Sequence, residues 1–312
     1  MMAWQQYPGC VTVFDIIEAM DDLLVGVGWT QCQRDTIIYE GSTRTRHVIW
    51  EGVGDGTDRI YIQARVPDDN NTDLYLDSMV GFDSDLEWWE QPGSIQQWLK
   101  SAEGSEVPMP MFTVTGESRF KLWLFADTYH VVGVAVFADV VFESFYVGFI
   151  NPIASERQYP YPMYVGGNSH VGDNPWPANT TGSFIFPADN SGWIRRADGV
   201  WRALQTTVPD PDPDSVGTVF PYNSHNTSLI SNYAGINAMT RDNFLLIPVM
   251  LQTNGPVDVC GVLRDVFWIT GRQDIGAGEI VEYNDEQYLI CDVKEYKMSN
   301  TYFCVKMAGS EQ

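Results

Sequence analysis

The hydrophobic pattern of this chain changes period once. Val13, Ile17, Met20 and Leu24 recur every three to four residues, which predicts an amphipathic helix over Thr12–Val25. Thr12 stands at its N-cap and Asp15 three residues on, the spacing of a capping box. Gly26 and Gly28 end it. Asp15 and Glu18 suit the positive end of the helix, and Asp21 and Asp22 are expected on its solvent side. Beyond this point the period is two. His47–Trp50 and Asp58–Val66 predict strands joined by a Gly/Asp-rich turn. In the second, Ile60, Ile62, Ala64 and Val66 share one face, and Tyr61, Gln63 and Arg65 the other. Ser94–Lys100 predicts a short helix capped by Ser94, with Ile95, Trp98 and Leu99 inward.

Pro108-Met-Pro110 marks a boundary. Three strands then follow in a meander: Arg119–Ala126, His130–Val141 and Phe142–Ile150, with Asp127 bonding its own backbone in the first turn. Residues 151–243 are rich in Pro, Gly, Asn and Tyr and poor in periodicity, with isolated strands predicted at Ser183–Phe186 and Val200–Leu204. Regular alternation returns with Phe244–Leu251, Val266–Thr270, Glu279–Tyr283, Gln287–Val293 and Thr301–Lys306, and Asn284-Asp-Glu286 makes a hairpin turn. The predicted fold is α+β and predominantly β: antiparallel sheets, as a sandwich or small barrel, with one N-terminal amphipathic helix and long irregular arms. Three segments are predicted: 1–108, a helix plus a β domain; 109–255, a meander with long Pro/Gly/Tyr-rich loops; and 256–312, a small β domain.

Composition changes this picture in two ways. Hydrophobic residues make up 44% of the chain, enough for packed cores and too many for global disorder. The formal charge of −23 argues against binding nucleic acid or an anionic membrane through the surface as a whole, since both require Lys and Arg. The acids concentrate between Asp55 and Glu90. Asp55, Asp58, Asp68, Asp69 and Asp73 are candidates for a wall facing a channel or solvent. The N-terminus shows no basic region followed by an apolar stretch, so a secretory signal is not expected. The five cysteines are an odd number and widely spaced, which predicts reduced thiols.

Candidate chemistry is sparse. His47, His130, His170 and His225 do not pair with Cys or each other at zinc spacing, and no metal site is expected. Asp69-Asn-Asn-Thr-Asp73 alternates oxygens as a calcium loop does, but Leu74 and Val80 stand where Gly and Glu are required. Ser169-His170 lacks a nucleophile elbow. Glu87 and Glu90 flank Trp88 and Trp89, an arrangement compatible with a glycosidase pair and better explained as a solvated turn. Trp88, Trp89, Tyr159, Tyr161, Tyr164 and Trp176 are either core or anchors for a partner, because Tyr and Trp are enriched at interface cores.

Residues 145–167, in which Tyr-Val-Gly-Phe runs into Asn151-Pro and then Tyr159-Pro-Tyr-Pro before Gly166-Gly, resemble a segment of virion structural proteins of tailed bacteriophages. The stretch from Gly261 through Phe267-Trp-Ile-Thr-Gly271 to Tyr302-Phe is similar to the end of the same proteins, and Gly28-Trp29 with Gly52–Ile62 also fits. The resemblance implies a structural protein of the phage particle and brings no catalytic residues with it. Acidic charge, a β-rich frame, long Pro/Gly arms and sparse chemistry agree with a non-enzymatic structural or adaptor subunit, expected in the tail at its tip or baseplate. It would act by assembling with other virion proteins and with copies of itself in a ring, with passive contact to translocating DNA, no cofactor and no membrane. The alternatives are a neck or tail-terminator protein, a host-surface or glycan-binding tail protein and a capsid decoration protein.

Overall fold

The computed structural model describes residues 2–54, 56–66, 72–99, 111–113, 119–137, 141–153, 162–167, 183–185, 192–196, 198–204, 217–220, 246–253, 258–270, 275–292 and 301–307. In chain order the elements are β1 (Ala3–Cys10), α1 (Val13–Gly26), β2 (Thr30–Tyr39), β3 (Ser42–Gly52), β4 (Ile60–Arg65), β5 (Asp73–Met79), α2 (Ile95–Leu99), β6 (Met111–Thr113), β7 (Phe120–Ala126), β8 (His130–Phe137), β9 (Val141–Phe149) and β10 (Asn151–Pro152). Then follow β11 (Met163–Gly166), β12 (Gly192–Arg195), β13 (Trp201–Leu204), β14 (Gly217–Phe220), β15 (Leu246–Thr253), β16 (Asp258–Thr270), β17 (Ile280–Tyr283), β18 (Glu286–Asp292) and β19 (Thr301–Met307). The fold is α+β and predominantly β, as the periodicity predicts.

Two open sheets organise these strands. The smaller has the order β2-β3-β4-β5-β6; the larger runs β1-β7-β8-β9-β11-β12-β13-β14-β15-β16-β19-β18-β17, with β10 added on β16. Pairing is antiparallel except between β13 and β14. The larger sheet draws strands from all three predicted segments. Its C-terminal strands pack back against the meander as in a sandwich, and among the described residues no barrel closes.

The meander β7–β9 is the middle layer. One face (Leu122, Leu124, Val131, Ala135, Phe145, Val147) meets α1 and the inner face of β3–β5. The other (Phe125, Val132, Val134, Tyr146) meets Leu251, Val266, Trp268, Leu289 and Phe303 of the C-terminal strands. A strand covered on both sides cannot alternate, and His130–Phe137 is accordingly apolar almost throughout.

The helix forms where its stripe predicts. Asp15 Oδ2 accepts the N–H groups of Val11 and Thr12 at 2.7 and 2.8 Å, satisfying donors that the helix itself leaves open. The buried stripe is wider than predicted and includes Phe14, Ile16 and Leu23, because the helix lies between β1, β7 and the smaller sheet. Asp21, expected in solvent, instead accepts the Trp50 indole N–H at 2.7 Å and pairs with Arg34 at 2.8 Å. Among the described residues no helix is long and apolar enough to cross a membrane.

Candidate functional site

Two places gather polar chemistry. The first is the outer face of the smaller sheet. Tyr61, Gln63 and Arg65 of β4 lie on the face opposite its apolar one, and Gln63 and Arg65 are buried there. The segment 82–99 covers them. Gln91 organises it from inside, accepting the Asp83 N–H at 3.0 Å and donating to the carbonyls of Asp83 and Leu86. The Arg65 guanidinium then lies 3.8 Å from the Trp88 ring centre and 5.0 Å from that of Tyr75, a stacked cation between two aromatics. Trp89 meets Trp88 edge-on at 5.2 Å, and both indoles remain half-buried. Around them Asp83, Asp85, Glu87 and Glu90 are exposed. The acids that face water here are these four. Asp58 is half-buried, and Asp73 is only 6% exposed. Asp73 therefore does not present its carboxylate to a channel: β5 is the inner strand between β4 and β6 and is buried along its whole length.

Tyr164, the other predicted anchor within the described residues, belongs to the core. It lies wholly buried in β11, and its hydroxyl donates to the Phe184 carbonyl at 2.5 Å. Burial pushes its phenol well above the usual range. Tyr159, Tyr161 and Trp176, and with them Asp55, Asp68 and Asp69, lie outside the described residues. So do Ser169 and His170.

The second place is the turn between β7 and β8, where α1, both sheets and β16 converge. Asp127 Oδ1 accepts the N–H groups of Tyr129 (2.7 Å) and His130 (3.0 Å) and lies 3.0 Å from His130 Nδ1. Trp29, just past α1, donates its indole N–H to the Asp127 carbonyl at 2.6 Å. Gly54 of the β3–β4 turn exchanges two hydrogen bonds with Thr128. Gly148 has φ +145°, and a Cβ there would stand 2.5 Å from His130 Cα, so only glycine lets β9 approach this closely. The imidazole stacks on Tyr146 at 5.1 Å, and Tyr146 donates to the Phe149 carbonyl at 2.7 Å.

Into this junction β16 delivers Asp265. The β15–β16 pairing shifts register between Pro248 and Met250, so β16 bulges between Val262 and Phe267. Asp265 sits in that bulge at φ +57°, the left-handed region, which costs a non-glycine residue on the order of 1 kcal/mol. One ligand-type atom each from Asp127, His130 and Asp265 lies within 4.8 Å of the others. The Arg264 guanidinium is directed onto the Tyr129 ring, 4.0 Å from its centre. Burial alone would raise the Asp127 carboxyl. The His130 ring and the backbone N–H donors more than offset this and hold it down at about 2.

A scan of protein-family models and a search of curated proteins each find no match to this chain.

The sequence predicts the Asp127 turn but not this cluster. His130 is one of four scattered histidines, and Asp265 interrupts an apolar strand far along the chain. No spacing rule joins them. The only local signal is a charged pair, Arg264-Asp265, inside a strand otherwise rich in apolar residues.

Proposed function

We propose that this chain is a structural or adaptor subunit of a tailed-phage particle, placed in the tail, that works by assembling with copies of itself and with other particle proteins. The observation that carries the proposal is the pair of open edges of the larger sheet. Among the described residues β1 and β17 pair on one side only, and each exposes a large apolar side chain, Trp4 and Ile280. Sheet edges in proteins that stay monomeric are usually blunted by charge or proline. β1 carries no charged residue along its length, and its one proline, Pro8, comes late. An edge of this kind is suited to receive a strand from a neighbouring chain.

Charge and sequence support the same reading. With a net charge of −23 the subunit lets DNA pass without sticking wherever its acidic face lines a channel, and Asp83, Asp85, Glu87 and Glu90 are the carboxylates exposed to do so. The resemblance of residues 145–167 and of the C-terminal strands to virion structural proteins supports a particle subunit, and the tail is the position this reading assigns to it.

The test is cryo-electron microscopy of whole particles, with native mass spectrometry of the purified chain. Density for this chain as a tail ring, with strand pairing across subunits, is the expected result. Absence from the particle overturns the proposal. A peripheral position combined with glycan binding that is lost in Trp88→Ala or Trp89→Ala would assign the chain instead to host-surface recognition.

A further inference from the structure

The two open edges of the larger sheet differ from each other, and the differences are complementary. On β1, Trp4, Gln5 and Gln6 are all exposed, so side chains on both of its faces reach solvent along the free edge. Its pairing with β7 is regular from Ala3 to Tyr7 and shifts register only before Cys10. That regular run offers an even row of backbone donors and acceptors to a further strand. No residue of β1 is charged. β17 is a strand of 4 residues, short enough to lie within that run. It holds Val281 and Tyr283 against the small C-terminal core and turns Ile280 and Glu282 to solvent.

Strand direction agrees with a contact between these unlike edges. Every step along the sheet from β1 to β17 reverses the chain except β13–β14, which leaves an odd number of reversals. β17 therefore runs opposite to β1. A second copy placed beside the first in the same orientation sets its β1 antiparallel to the first copy's β17, the more stable arrangement per residue. Like edges fit less well. Two β17 strands bring two Glu282 carboxylates into one short contact, and like charges in a strand pair oppose it. Two β1 strands leave β17 open in every copy, whereas the unlike pair, repeated around a ring, covers both edges of all copies. The edges of the smaller sheet are poor competitors: β2 carries Arg34 and Asp35, and β6 has 3 residues.

We propose that copies of this chain join head to tail, β17 of one adding antiparallel to β1 of the next, so that the larger sheet continues from subunit to subunit. This rests on the assembly reading above and names the partner of each open edge. The backbone ladder supplies the contact, and the uncharged β1 accepts Glu282 without a like charge opposite it. The interface is heterologous, so each copy carries one half of it at either end of the sheet.

The test is complementation between two blocked edges, read by native mass spectrometry of the full chain. One variant carries Gln5→Glu with Gln6→Glu, near-isosteric changes at two exposed positions that place an acid on each face of β1. The other carries Ile280→Lys on β17. One of the two is labelled with 15N so that mixed species are resolved, and far-ultraviolet circular dichroism checks that both fold as the parent does. The parent should form rings and each variant alone should be monomeric. An equal mixture should give a heterodimer and nothing larger, because one intact β17 then meets one intact β1 and both outer edges are blocked. A parent that stays monomeric removes the assembly reading itself. With an oligomeric parent, three results overturn the unlike pairing alone: one variant that still assembles by itself, both variants assembling as the parent does, or two monomeric variants that give no heterodimer when mixed.

Discussion

Asp77 shows how a single side chain links burial to pH. It is wholly buried on β5, where Oδ1 accepts the N–H groups of Ser78 (2.7 Å) and Ile95 (3.1 Å) and Oδ2 accepts from Gln63 at 3.4 Å. Burial, the dominant influence, still raises its carboxyl to about 7. A folded-state value above the unfolded one means that the stability linked to the protonated form is complete below about pH 4 and is lost as pH rises through about 7. Asp77→Asn keeps an acceptor and removes the charge. The decline in melting temperature between pH 5 and pH 8 should therefore shrink in this variant, on the order of a few kcal/mol at the upper pH. Calorimetry at both pH values checks this, and an unchanged decline would show that Asp77 does not ionise in that range.

At the scale of elements, two junctions decide how the layers meet. The first is the start of α1. Burial pushes the Asp15 carboxyl up, but the N–H of Val11, the Arg44 guanidinium and the N–H of Thr12 together hold it below the usual range. Arg44 comes from β3, so this one carboxylate both caps the helix and ties it to the smaller sheet. Asp15→Ala removes the acceptor of two backbone donors and the partner of Arg44, and should cost about 1–3 kcal/mol in urea unfolding. Because the carboxyl is held low, its contribution is present above the unfolded value near pH 4 and is lost as pH falls below it, so parent and variant should converge in acid. The second junction is β8 against β9. Gly148→Ala would press a methyl group onto backbone atoms of Tyr129 and His130 at a positive φ. A loss of about 2–4 kcal/mol is expected, and a variant within 1 kcal/mol of the parent in the same urea experiment would refute the close approach.

For the whole molecule, charge and edges set the behaviour. A net charge of −23 on one folded chain means self-repulsion, which salt screens beyond about 10 Å at 0.1 M. Raising NaCl from 0.02 to 0.5 M should raise the melting temperature of the isolated chain, read by differential scanning fluorimetry. If β17 is an assembly edge, Ile280→Lys places a charge where a neighbouring strand would pair. Rings seen by native mass spectrometry should then fall to monomers while the melting temperature stays within about 2 °C, since Ile280 is 46% exposed and little packing is lost.

The sequence by itself determined the elements whose apolar face follows a regular period. The stripe of α1, the alternation of β4 and the two-residue turn at Asn284-Asp285, both at positive φ, follow from period and local turn chemistry alone. Strands whose partners lie elsewhere were not legible. β1 carries Gln5, Gln6, Pro8 and Gly9, and β2 opens Thr-Gln-Cys-Gln-Arg-Asp; each is an edge strand that takes its hydrogen bonds from a neighbour and shows no apolar alternation. Tertiary structure also decided which faces are wet. The segment 82–99 covers Gln63 and Arg65, which period alone places opposite the apolar face of β4, and the C-terminal strands cover the second face of the meander. Only tertiary structure brought Asp265 beside Asp127 and His130, because a bulge and a turn from distant parts of the chain meet through packing, and sequence spacing records none of it.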